Sequence, residues 1–144
     1  MDYRARAKSV GTLRHGVWPQ TCILYRLPGD SAIGGPGGAV VILEQRDYHV
    51  YTGKLAELVR LYETEGIPIQ REVLGGFVGA FTVDVGDLST YSHFWRYDSY
   101  DQRGERRAAL QARDDWQAFL AKVQPLIHTQ RSRILVPTPF SPLR

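Results

Sequence analysis

Cysteine is almost missing: Cys22 is the only one in 144 residues. A lone thiol excludes an internal disulfide framework and a cysteine-based zinc site, and it fits a reducing, cytoplasmic setting. Long apolar runs are missing too. No stretch approaches the ~18 residues a membrane span needs, and Cys22-Ile-Leu-Tyr25 is too short for the core of a secretion signal, so no membrane span is expected. Strong catalytic signatures are equally absent: no Gly-x-Ser-x-Gly, no phosphate loop, no His-Glu-x-x-His and no dinucleotide fingerprint. His15, His49, His93 and His128 show no metal-ligand spacing, so neither a metal nor another cofactor is expected. An excess of basic charge is missing where it would matter. The net +3 lies wholly in residues 1–39, where Arg4, Arg6, Lys8, Arg14 and Arg26 face only Asp2 and Asp30. The rest of the chain is balanced, which argues against a nucleic-acid partner.

The length suits one domain with a tail. Residues 1–39 lack sustained periodicity and end in the breaker Gly34-Gly-Pro-Gly-Gly38, so they read as a flexible extension outside a domain spanning 40–144. Asp2, Gly11, Gly16 and Pro19 spoil the amphipathic helix of an organellar leader. A second reading is that the extension is not part of the native chain, because Gly37-Gly38 can be encoded by a ribosome-binding sequence just before Val40 or Val41.

From Val41 to Val50 alternation puts Ile42, Glu44, Arg46 and Tyr48 on one strand face. Leu55, Leu58, Val59 and Tyr62 then form a helical stripe that Gly66 is expected to end, followed by an irregular stretch through Pro68. Segments 76–85 and 90–98 read as a hairpin turning at Gly86-Asp87. Ser99-x-x-Gln102 has the form of a capping box for a second helix to about Gln111. Asp114 or Asp115 caps a third, with the stripe Trp116, Phe119, Leu120, Val123 and a stop at Pro125. Segment 131–136 reads as a last strand before a Pro-rich tail. The order β-α-β-β-α-α-β is that of a ferredoxin-like α+β unit.

His93-Phe-Trp-Arg-Tyr-Asp-Ser99, Arg103, Arg106-Arg107, Asp115-Trp116-Gln-Ala-Phe119 and Pro137-Thr-Pro-Phe-Ser-Pro-Leu143, with Glu44-Gln-Arg46-Asp-Tyr48, Gly53-Lys54-Leu55 and Gly66-Ile-Pro-Ile-Gln70 upstream, resemble the NIPSNAP family. The resemblance implies a ferredoxin-like unit that pairs into a dimeric α+β barrel, hence a homodimer. It implies little about chemistry.

A turn at Gly86-Asp87 pairs Val78 with Trp95, Ala80 with His93 and Thr82 with Tyr91. One face then carries Tyr91, His93, Trp95 and Tyr97, joined by Glu44, Arg46 and Tyr48; the other carries Phe77, Gly79, Phe81, Val83 and Phe94, expected to lie under the helices. The first face makes a candidate pocket, with His93, Arg46 and Tyr48 in catalytic roles and Glu44, Trp95, Tyr97 and Tyr91 binding ligand. The same residues equally suit core or a sheet-to-sheet interface between copies, since arginines and aromatics also favour interfaces. Arg103, Arg106 and Arg107 are expected to tie the second helix to acidic residues in its flanking turns. Three functions stay open: a dimeric protein of unassigned activity binding a small aromatic or apolar ligand, a cofactor-independent monooxygenase- or cyclase-like enzyme, and a non-catalytic protein-interaction module. Mass spectrometry of the native protein should map its start to Val40 or Val41 if the second reading of the extension holds, and peptides from residues 1–30 would exclude that reading.

Overall fold

The computed structural model describes residues 40–143, so the expectations about residues 1–39 lie outside the described residues. Strand β1 (Ile42–Val50) leads to helix α1 (Leu55–Leu61), which continues through a π-helical turn (Tyr62–Gly66) into α2 (Ile67–Leu74). The hairpin β2 (Phe77–Thr82) and β3 (Thr90–Tyr97) follows, then α3 (Tyr100–Gln111), α4 (Asp114–Val123), a 3-10 turn (Gln124–Leu126) and β4 (Ile127–Leu135). The strands form one antiparallel sheet in the order β2-β3-β1-β4, a ferredoxin-like arrangement. No helix among the described residues is long and apolar enough to cross a membrane.

Gly66 does not stop the first helix. It is itself helical, at φ −65°, and it is the lack of a side chain that the site requires, because a Cβ there would fall on the tip of the Phe119 ring from α4. Pro68 accounts for the π turn. Proline has no N–H to give the carbonyl four residues back, and its ring crowds that carbonyl. The wider turn, in which Ile67 N–H bonds to the Tyr62 carbonyl, lets the chain pass this point without leaving the helix. The true stop is Gly75, at φ +60°, one residue beyond Leu74.

The Ser99 cap is present, with its return bond shifted by one residue: Ser99 Oγ accepts from Gln102 N–H at 3.0 Å, while the Gln102 side chain accepts from Asp98 N–H, just before the cap, at 2.9 Å. Neither Asp114 nor Asp115 caps α4, whose N-cap is Arg113. Asp115 is occupied instead by the Arg113 guanidinium at 2.7 Å and by Trp116 N–H at 2.8 Å. The last strand starts at Ile127 rather than Arg131, since the 3-10 turn absorbs Pro125 and leaves the residues after it free to pair with β1. In the hairpin, Ala80 and Thr82 oppose His93 and Tyr91 as expected, but Val78 is bulged out and Phe77 opposes Trp95.

The largest departure concerns which sheet face the helices cover. They lie on the face of Ile42, Glu44, Tyr48, Tyr91, His93, Trp95 and Tyr97, all of which are buried. The face expected under the helices is outside: Phe81 is 58% exposed and packs edge-on to Phe94, beside a network in which Ser92 Oγ donates to Asp47 at 2.6 Å. The physical reason lies in bulk and charge. The tyrosines and Trp95 offer more area to bury than Gly79 and Ser92 do, and arginines reaching down from α3 supply the counter-charge that makes burial of Glu44 tolerable.

Gly66→Ala should cost about 1–3 kcal/mol through overpacking against Phe119, whereas Gly104→Ala, in α3 with open space around it, should be neutral or stabilising by up to ~1 kcal/mol. Denaturant titration of both variants checks this; a Gly66→Ala protein as stable as its parent would contradict the close seating of α4 on the first helix.

Candidate functional site

Glu44 sits on the central strand β1 with no exposed surface. Arg103 and Arg107, one turn apart on α3 and so on one face of it, both reach its carboxylate. Arg103 Nη2 lies 2.6 Å from Oε1, and Arg107 presents Nη2 at 2.6 Å and Nε at 3.0 Å to Oε2. Tyr97 Oη donates at 3.3 Å, Ser132 Oγ at 3.4 Å, and Arg46 stands 3.8 Å away. Burial alone would raise the carboxyl's pKa. Arg107, the Arg103 hydrogen bond and Arg46 outweigh it and hold the group at about 2. Arg106, between the two, turns the other way and donates to the Leu74 carbonyl at 2.5 Å, closing the C-terminal end of α2. The arginines of α3 thus fasten it to the sheet and to α2. The acidic partners expected in the flanking turns of α3 do not appear in these bonds.

His93, equally sealed, accepts a hydrogen bond at its Nδ1 from Trp95 Nε1 at 3.3 Å, which assigns the ring hydrogen to Nε2. Nε2 has no hydrogen-bond partner among the described residues. The ring is enclosed by Tyr48, Tyr62 and Tyr91, with centroids 5.4, 5.6 and 5.6 Å away. Burial, then the positive charges of Arg46 and Arg107, push its pKa well below the usual range, so it is neutral at physiological pH. Burial likewise raises the Tyr62 and Tyr91 hydroxyls, and it raises Tyr97 to about 12. These side chains can donate and accept hydrogen bonds; they carry no charge near neutrality.

All seven residues singled out from the sequence converge on this cluster between sheet and helices, six of them buried and Arg46 half-buried. They do not form an open wall. Glu44 cannot serve as a general base with its oxygens saturated, and nothing in solvent touches His93, Trp95 or Glu44. Space opens one layer outward. A groove of about 700 Å³ lies between the first helix and edge strand β2, lined by Val59, Glu63, Ile67, Pro68, Arg71, Ala80, Phe81, Thr82 and Tyr91. Only Tyr91 belongs to both the cluster and the groove. Of the helix-borne lining, Val59, Glu63, Ile67 and Arg71 follow a four-residue step that runs past Gly66, the expected end of the helix, with Pro68 beside it. No three His, Cys, Asp or Glu side chains converge to hold a metal ion among the described residues.

Residues 43–142 match the family model described as NIPSNAP. A NipSnap protein of Caenorhabditis elegans is 33% identical over 102 residues, covering 71% of this chain and 19% of the worm protein. Human NipSnap homolog 3A is 30% identical over 105 residues, covering 72% and 42%. The chain therefore spans less than half the length of these relatives. A NIPSNAP family structure from Agrobacterium tumefaciens superimposes with a TM-score of 0.71 at 45% identity, covering 72% of this chain and 99% of its own. A cofactor-independent oxygenase from Streptomyces nogalater gives 0.51 at 15% identity, covering 72% and 99%, which speaks to fold alone.

Replacing Glu44 by Gln removes the one carboxylate that three arginines share and should cost about 3–5 kcal/mol. His93→Gln should cost on the order of 1–3 kcal/mol at pH 7, and it should also flatten part of the acid limb. The sign follows from a folded pKa below the unfolded value: the contribution is complete above ~6.5 and is lost as pH falls, because the unfolded chain binds the proton and the fold does not. Denaturation measured from pH 7.5 to 5 on both proteins decides it; identical pH slopes would refute the neutral, sealed His93.

Proposed function

The chain belongs to the NIPSNAP family, and we propose that its domain binds a small, largely apolar or aromatic molecule in the groove between the first helix and β2. The observation that carries this is the groove itself: its volume is in the range of small-molecule sites, its walls are Val59, Ile67, Pro68, Ala80 and Phe81, and its lining includes the buried Tyr91. Tyr91 is backed by the Tyr48–Tyr62–His93 cluster, which keeps it fixed and neutral. Fixed aromatic surfaces bind flat apolar ligands without a large ordering cost. His93, Arg46, Tyr48, Glu44, Trp95 and Tyr97 support that floor from behind and touch no ligand in this reading.

The oxygenase reading draws on a fold shared with the Streptomyces protein, and fold alone is weak support for activity. It would need a base at the ligand. His93, the natural one, is shut in behind tyrosines, and the groove's own carboxylate, Glu63, is a solvent-exposed side chain, so binding without turnover is the better reading.

The homodimer belongs to the same proposal, on different grounds from those the sequence offered. Trp95 and Tyr97 are covered within one chain, but the outer sheet face carries Leu43, Phe94 and Phe81 beside Asp47, Arg131 and Arg133. Apolar centres with charges of both signs suit a self-complementary two-fold contact. Sedimentation at micromolar concentration should give about twice the chain mass.

Titration with planar aromatic compounds should raise the melting temperature, since a ligand at 100 times its Kd adds about 2.7 kcal/mol. Filling the groove with Ala80→Trp, at an exposed position, should abolish that rise while leaving the unliganded protein as stable. An Ala80→Trp protein with an undiminished response would place binding elsewhere.

A further inference from the structure

We infer that the groove selects ligands bearing a carboxylate, which Arg71 receives, so that the ligand class is an aryl- or alkyl-carboxylic acid. This rests on the groove reading above and adds to it the polarity of the occupant.

Arg71 is exposed at the surface of α2 and lines the groove. Its guanidinium is placed rather than free to wander: Cζ lies 4.6 Å from the centre of the Phe77 ring, a cation–π stacking that leaves the edge of the fork available. The arginines of α3 and of the turn after it are occupied. Arg103 and Arg107 hold Glu44, Arg106 holds the Leu74 carbonyl, and Arg113 holds Glu72 and Asp115. Among the described residues Arg71 has no carboxylate within ion-pair reach. A pre-positioned guanidinium without an acid, at the rim of an apolar groove, is the arrangement that reads a carboxylate with two parallel hydrogen bonds.

Glu63 is the other charge in the lining. It lies two helical turns from Arg71, about 12 Å along the axis, which exceeds the ~8 Å screening length at physiological salt. Its repulsion of an anion seated on Arg71 is therefore small, and its presence gives the groove a direction. The acid end of the ligand lies toward Arg71 and Phe77, while the ring or chain runs along Ile67 and Ala80 toward Tyr91.

The test compares hydrocinnamate with its uncharged primary amide, titrated by NMR into the whole chain and into Arg71→Gln, reading the signals of Ala80, Thr82 and Ile67. For the parent protein the acid should bind at least about tenfold more tightly than the amide, the margin expected of one charge-assisted pair. In Arg71→Gln that preference should vanish, with amide binding unchanged, which also serves as the control that the variant folds. Acid and amide binding equally to the parent, with shifts at Ala80 and Thr82, would overturn the carboxylate preference and leave the groove reading standing. Binding of neither compound would overturn both.

Discussion

The constraint on which the rest of this structure depends is one buried carboxylate facing more positive charge than it can neutralise. Glu44 takes hydrogen bonds from Arg103 and Arg107 and has Arg46 within 4 Å, so the neighbourhood keeps a net positive charge after Glu44 is paid for. Two consequences follow. The helical layer is fixed in position over the sheet, because moving α3 would strand an unpaired charge in a dry interior. Burial first, and then the same surplus, keep His93 unprotonated, which lets an imidazole pack among three tyrosines as an uncharged ring.

With α3 held to β1, its neighbour sets the shape of the rim. Arg106 closes the end of α2, and the Gly66–Phe119 contact brings α4 against the π turn. These ties place the first helix beside β2 in a way that leaves the groove. The bulge at Val78 contributes by turning Phe77 toward Trp95, 4.9 Å between ring centres, where it becomes the surface on which Arg71 lies. Core electrostatics and surface recognition are thus connected through backbone positions, with no ligand contact required of the buried groups.

Much of the fold was legible because its signals are local. Alternation at Ile42–Tyr48, the helical stripes and the Ser99 cap each depend on residues within a few positions, and they gave the topology. The seven candidate residues share one sheet face because alternation within β1 and within β3 is local, and the pairing of Glu44 with Trp95, Arg46 with His93 and Tyr48 with Tyr91 aligns the two sets. Their burial was one of the readings the sequence allowed, beside a pocket and an interface between copies, and local pattern could not choose among them. Which face of a sheet the helices cover depends on long arginines arriving from α3, 59 and 63 residues away in sequence from Glu44, and the sequence does not announce that pairing. Gly66 misled for a related reason: a glycine that ends a helix and one that admits a neighbouring ring look alike until Phe119 is in place. The groove then escaped notice, because three of its nine lining residues, Ile67, Pro68 and Arg71, lie on the helix beyond the point where it was expected to stop.

The central claim is that Glu44 stays ionised in the interior because the arginines reward its charge more than burial penalises it. Titrating the side-chain carboxyl carbon of Glu44 by NMR in the folded protein measures that balance directly. A carboxyl that remains ionised down to a pKa of about 2 is the expected result; one that takes up its proton near the unperturbed value of ~4.3 would mean that the arginines do not govern this core.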